Sequence, residues 1–145
     1  MIRSTKLFSI IILLVFLFSC KNDKTSSQSE IFANLELNRG DLLLCGDPNF
    51  GEVSFSLSCR YDLREKFNLG LTLIHSFEYA EAEKVFVSIL DEDSECLMAY
   101  WATAMSILNH PLSFKQNPES LKRGEELLKV AKKLTPNNER EKDYI

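Results

Sequence analysis

Cysteine and histidine are the residue types in this sequence with the widest chemical range, and the chain has four cysteines and two histidines. The sequence contains neither the CxxC pairs nor the paired histidine spacing of a zinc site. His75 and His110 stand apart, and the GxSxG, Walker and GxGxxG motifs are absent from the sequence. These patterns predict that the 145 residues bind no metal or cofactor and carry no catalytic role of their own.

The first twenty residues combine a positive start with an apolar run that ends at a cysteine. Arg3 and Lys6 precede an almost uninterrupted apolar stretch over residues 7–18, which is shorter than the ~20 residues that span a membrane. Its end, Leu17-Phe18-Ser19-Cys20, resembles a bacterial lipoprotein signal, in which the cysteine is acylated and becomes the new N-terminus. The resemblance implies a signal peptide over residues 1–19 and a lipid anchor on Cys20. An uncleaved membrane helix and simple secretion with loss of Cys20 are the alternatives.

An anchor of this kind places the protein in the cell envelope, where it faces the periplasm or the cell exterior and where disulfides are permitted. Residues 20–30 are polar and are expected to form a flexible tether. Cys45 and Cys59 flank a stretch rich in Gly, Pro and Asn. We expect a Cys45–Cys59 disulfide, because closing a loop of about 15 residues stabilises a fold by ~3 kcal/mol. Two buried thiols are the alternative, and Cys96 is expected to be a small core residue.

Hydrophobic periodicity divides the rest of the chain. Residues 53–59 alternate apolar and polar side chains, the pattern of a strand or extended segment that pairs with another segment, with residues 41–45 as the candidate. From Asp62 onward, apolar residues recur every three or four positions, which predicts four helices in two antiparallel hairpins. We therefore expect an extended cap segment over residues 31–60, helix hairpins over 61–136 and the start of a further helix over 137–145.

Small and large apolar residues recur at matching positions of the two predicted hairpins. Gly70 corresponds to Ala104, Ala82 to Gly124 and Phe86 to Leu128, and the second hairpin adds the small Ala131 and a closing Pro136. The pattern resembles the tetratricopeptide repeat, although Ile89 and Ser94 depart from it. The resemblance implies an all-α fold, a helix-turn-helix repeat of the α-solenoid type preceded by a short extended segment.

A hairpin of this family buries one face only against a neighbour, and about three repeats are normally needed for stability. Two repeats and the start of another are present here. We therefore expect residues 31–59 to cap the first hairpin and the sequence to be part of a longer protein, which would leave Leu127, Val130 and Leu134 on an open side of the last hairpin.

The family also implies a groove, lined by the first helix of each hairpin. Carried over position by position, this predicted groove consists of Arg64, Phe67, Leu71, Ile74 and His75 in the first hairpin and Met98, Trp101, Met105, Leu108 and Asn109 in the second. Trp101, Met105 and Leu108 form an i, i+4, i+7 apolar stripe, which suits an apolar or helical peptide. The alternative is that Trp101 belongs to the core.

Charge narrows the class of partner. The net charge of −4 argues against nucleic-acid binding driven by bulk charge. Residues 62–95 carry nine acids and three bases, whereas residues 115–142 carry eight bases and five acids. This asymmetry is either a set of solvated faces or a means of steering a charged partner.

The sequence therefore predicts a membrane-anchored extracytoplasmic scaffold that binds a protein or peptide in the predicted groove. The alternative is a small-molecule or glycan receptor for nutrient capture, with a pocket rimmed by residues 110–117. A hydrolase completed by further downstream sequence also stays open.

Overall fold

The computed structural model of the protein describes residues 31–44, 49–108 and 117–145. These residues form an all-helical structure, without a strand. The expected signal peptide and tether, Cys20, Cys45 and Asn109 lie outside the described residues. Within the described part of the chain, no helix combines the length and the hydropathy that crossing a membrane requires.

Four helices and a terminal helical turn follow one another from residue 61. A 3₁₀ turn at Tyr61–Leu63 leads into α1 (Arg64–His75), which is followed by α2 (Tyr79–Glu92), α3 (Leu97–Leu108), α4 (Pro118–Ala131) and α5 (Glu139–Lys142). Residues 76–78 connect α1 to α2, and the longer stretch 109–117 connects α3 to α4. These bounds confirm the helices that the periodicity predicts, including the start of a further helix after residue 136.

Local chemistry determines where α4 and α5 begin. The side chain of Asn117 accepts a hydrogen bond from the Glu119 N–H at 3.0 Å, and Pro118 occupies the first position of α4. Proline suits this position because its missing N–H would have no partner inside the helix. Asn138 caps α5 in the same way, accepting from the Glu141 N–H at 2.9 Å. Both starts are therefore readable from the sequence.

Each of α1, α2 and α3 packs against the helix that follows it, and α1 also touches α3. Phe67, Phe86 and Tyr100 are among the largest fully buried side chains. A Cβ atom added to Gly70 would lie 2.5 Å from the ring of Phe86, so α1 and α2 can approach this closely only because residue 70 is glycine. Small residues that the sequence places at repeating offsets therefore lie at helix contacts.

The N-terminal segment runs over two different parts of the helices. Residues 31–34 form one helical turn, and the ring of Phe32 stacks on Tyr100 with centroids 5.8 Å apart. Residues 35–44 run along α2 and α4, to which they are hydrogen-bonded. We call residues 50–59 the strap. The strap has neither helix nor strand, yet Val53, Phe55 and Leu57 face inward while the intervening serines are exposed, as the alternation predicts.

The disulfide joins Cys59 to Cys96, whose Cα atoms are 5.1 Å apart. Because a cysteine forms one disulfide, this pairing corrects the expected Cys45–Cys59 bridge. The physical reason is the path of the strap, which crosses the helices and ends beside the residue that precedes α3. Cys96 is buried, as expected, but it is a cross-link rather than a simple core residue.

The expected open side of the second hairpin is also corrected. Leu127 and Val130 are buried, and Leu134 is partly buried against the core. The face of α4 that carries them packs on α3, since Gly124 lies opposite Ala104. The large apolar residue that α4 does expose is Leu121.

Candidate partner-binding groove

The described residues of the predicted groove divide into a buried group and a group that keeps some exposed surface. Phe67, Leu71 and Met98 are buried, and Met98 has no exposed surface at all. Met98 and Leu71 are therefore core residues and not the groove lining that the sequence predicts. The reason is that α3 contacts α1, α2 and α4, so the turn of α3 before Trp101 is enclosed.

The remaining described members of the predicted groove keep some exposed surface. Arg64 and His75 are exposed, and Ile74 is half-buried. Met105 is 41% exposed, while Trp101 and Leu108 are half-buried beside it on α3. The side chain of the neighbouring Tyr100 is fully buried instead. These residues of α3 form a partly exposed apolar stripe, which we call the α3 stripe (Trp101, Met105 and Leu108).

The strap covers one part of the predicted groove on α1, around Phe67. The ring of Phe55 packs on Phe67 with centroids 5.5 Å apart. The backbone N–H of Phe55 donates to Oδ1 of Asn68 at 3.0 Å, and Leu57 is buried beside them. The chain itself therefore occupies the face of α1 that carries Phe67 and Asn68, which we call the inner flank of α1.

Residues at and after α5 extend this cover to α3. The ring of Tyr144 meets Trp101 edge-on, with centroids 4.8 Å apart, and lies 6.2 Å from Phe55. The guanidinium of Arg140 lies 4.1 Å from the centroid of the Phe55 ring, within cation–π distance. These contacts bring together three segments that are far apart in the sequence, and they show that the aromatic end of the α3 stripe accepts another aromatic ring.

A buried carboxylate fastens the strap to α5. Glu141 is 1% exposed and accepts a hydrogen bond from the backbone N–H of Ser58 at 3.0 Å. The side-chain amide of Asn138 donates to the hydroxyl of Ser58 at 2.6 Å. Sequence reasoning missed Glu141, because a single carboxylate in a charged helix has the same pattern as a solvated one.

Some of the acidic residues that cause the charge asymmetry make contacts within the protein. Glu83, with a side chain only 4% exposed, pairs with Arg123 at 2.7 Å and accepts two hydrogen bonds from Asn38. Burial raises the pKa of Glu81, but hydrogen bonds from Lys84 and the Leu43 N–H together lower it by more, so this pKa lies below its ordinary value of 4.5. These acids hold residues 38–43 against α2 and are not free to steer a charged partner.

Two clefts open beside these elements. One, of about 510 Å³, lies between the strap and α1 and is lined by Glu52, Glu65, Asn68 and Thr72 among others. The other, of about 280 Å³, lies between residues 34–36 and α4. In the first cleft Asn68 already bonds to the strap, and the Thr72 hydroxyl donates to the Asn68 carbonyl. Within the described ranges, no group of His, Cys, Asp and Glu residues is arranged to hold a metal ion.

The open part of the α3 stripe is therefore the best candidate for binding, and its chemistry is that of apolar and aromatic contact. No family model, curated protein or solved structure matches the chain.

Proposed function

We propose that the protein is a lipid-anchored extracytoplasmic scaffold, built from two helix hairpins of the tetratricopeptide type, that binds a protein or peptide partner through the α3 stripe. The order of packed helices supports the repeat assignment, as do the small residues at their contacts, Gly70 against Phe86 and Gly124 against Ala104. The lipoprotein-like sequence around Cys20 supports the anchor and the location in the cell envelope.

The observation that carries the binding proposal is the seating of Tyr144 on Trp101. One turn further along α3, Met105 presents a thioether to solvent at the same face. A peptide that places a large apolar side chain beside Met105 would bury both groups, at roughly 25 cal/mol per Å² of apolar surface removed from water. Methionine suits this purpose because its flexible side chain adapts to different partners.

The test is peptide selection with a matched pair of variants. Random peptides displayed on phage are selected against the full chain in detergent, and their affinities are measured for Met105→Glu and Leu121→Glu. Both substitutions place a charge at a similarly exposed apolar position on a helix, but only Met105 lies in the α3 stripe. We expect Met105→Glu to weaken binding by about ten-fold or more, ~1.4 kcal/mol, and Leu121→Glu to leave it unchanged. Equal effects of the two variants would contradict the proposal.

A receptor for a small molecule or glycan is the second candidate, and the cleft between the strap and α1 favours it by its volume of about 510 Å³. Peptide binding has the stronger support, because Asn68 and Thr72 in this cleft are already engaged in hydrogen bonds within the protein. If Glu65→Gln, but not Met105→Glu, abolished binding of a ligand identified by screening sugars and small metabolites, the second candidate would replace the first.

A further inference from the structure

We propose that the Cys59–Cys96 disulfide is a redox-sensitive clasp, whose reduction by a dithiol releases the strap from the inner flank of α1. The clasp connects the last residue of the strap to the residue that precedes α3. It therefore joins the strap covalently to the part of the fold that carries the α3 stripe.

The non-covalent contacts of the strap are of a kind that can be undone without unfolding the helices. In the described part of the chain, the hydrogen bonds of the strap backbone between residues 53 and 58 go to side chains, to Asn68 and to Glu141. The strap belongs to no sheet, so its release breaks no backbone ladder. Apolar contact is supplied by Val53, Phe55 and Leu57, of which only Leu57 is buried, with 5% of its surface exposed. Apart from the backbone itself, which continues from Cys59 through Arg60 into the turn before α1, the disulfide is the covalent cross-link that holds the strap in place within the described residues.

The exposure of the two sulfur-bearing residues sets the direction of the exchange. Cys96 is 1% exposed, whereas Cys59 is only partly buried. A thiolate of the dithiol attacks Sγ of Cys59, the S–S bond breaks, and its electron pair leaves on Sγ of Cys96, which then takes a proton. The second thiol of the reductant attacks the mixed disulfide, releases the Cys59 thiolate, which takes the second proton, and closes the reductant as a cyclic disulfide. The protein gains two electrons and two protons, and the dithiol loses them.

Release would uncover Phe67 and Asn68 on α1, beside the α3 stripe. This consequence for binding rests on the proposed function, whereas release of the strap does not. The clasp thus predicts two states of one surface, a narrow site on α3 in the oxidised protein and a wider one on α1 and α3 in the reduced protein.

Hydrogen exchange read by mass spectrometry tests the clasp on the full chain in detergent. The oxidised protein is compared with dithiothreitol-treated protein and with the double variant Cys59→Ser/Cys96→Ser. We expect the amides of Phe55 and Ser58, which donate hydrogen bonds to Asn68 and Glu141, to exchange about ten-fold faster or more in both, while α1 to α4 keep their protection. Dithiothreitol should have no further effect on the double variant, which excludes the other cysteines as the cause.

Two results would overturn the clasp. Unchanged protection of the Phe55 and Ser58 amides would mean that non-covalent contacts alone hold the strap. Loss of protection in the strap and the helices together would mean that the disulfide supports the whole fold. Faster exchange of the strap without any gain in affinity for the selected peptides would count against the proposed function alone and leave the clasp standing.

Discussion

Substituting alanine for glycine should have opposite effects at the two helical positions Gly70 and Gly124. At Gly70 the added Cβ would lie 2.5 Å from two atoms of the Phe86 ring and 3.0 Å from a third. The ring is fully buried and meets Phe67 edge-on at 5.2 Å, so it cannot move aside without displacing a second aromatic side chain. At Gly124 the closest atom, the Cβ of Ala104, is 3.7 Å away, which is ordinary contact.

Two opposing effects decide whether each substitution stabilises or destabilises the protein. Extra atoms in a packed core lower the free energy of unfolding by about 1–3 kcal/mol. Alanine in place of glycine inside a helix raises it by up to about 1 kcal/mol. Gly70→Ala should therefore lower the free energy of unfolding by about 1–2 kcal/mol. Gly124→Ala meets no clash, so it should raise that free energy by about 0.5–1 kcal/mol.

Urea denaturation, followed by the circular dichroism signal of the helices, measures both changes. The slope of the unfolding free energy against urea concentration should be the same in the variants and the original protein. The double variant Gly70→Ala/Phe86→Leu adds a direct test of the contact. Its free energy of unfolding should be about 1 kcal/mol higher than the value obtained by adding the two single changes, because leucine leaves room for the new methyl group. If Gly70→Ala proved as stabilising as Gly124→Ala, the close approach of α1 and α2 at this point would be refuted.

Three further predictions follow from the described contacts. Arg123→Ala should lower the free energy of unfolding by about 3 kcal/mol, because it leaves the buried carboxylate of Glu83 without its cation. Arg39→Ala removes an exposed ion pair and should lower it by only ~0.2–1 kcal/mol. Equal losses of stability in urea denaturation would contradict the burial of the Glu83–Arg123 pair. Because the pKa of Glu81 is lowered on folding, its contribution to stability is full above its ordinary value of 4.5 and is lost as the pH falls through the folded value. Glu81→Gln should thus flatten the fall in unfolding midpoint between pH 6 and pH 3, and an unchanged pH profile would count against it. Tyr144→Ala should move the emission of Trp101, the only tryptophan, to longer wavelength, and unaltered fluorescence would mean that the ring contact is absent in solution.

The helices could be predicted because local rules determine them. Asn117 and Pro118 mark the start of α4 by capping chemistry that involves neighbouring residues only. Gly70 is one of the small residues that recur in the predicted hairpins, and the structure places it at a helix contact, against Phe86. Signals of this kind need no knowledge of the tertiary fold, so the sequence was sufficient for them.

Contacts between distant segments could not be predicted in this way. Glu83 and Arg123 are separated by 40 positions, and Ser58 and Glu141 by 83. A carboxylate that ends up buried has no local signature, since its neighbours on the helix are those of a solvated acid. The disulfide was assigned to the wrong partner for the same reason, because the approach of Cys59 to Cys96 depends on the path of the strap over the helices.

At the predicted groove, two sequence patterns compete for the same surface. The alternation in residues 53–59 requires a surface on which Val53, Phe55 and Leu57 can be buried, and the repeat pattern predicts an apolar flank on α1. An extended segment without a partner strand has to bury its apolar face on the helices, and this flank of α1 is the surface on which it lies. A partner is therefore left with the α3 stripe, unless the strap moves. In the proposed clasp the size of the proposed binding surface depends on the disulfide, so the oxidised and the reduced protein should be used as two separate baits in a search for the partner.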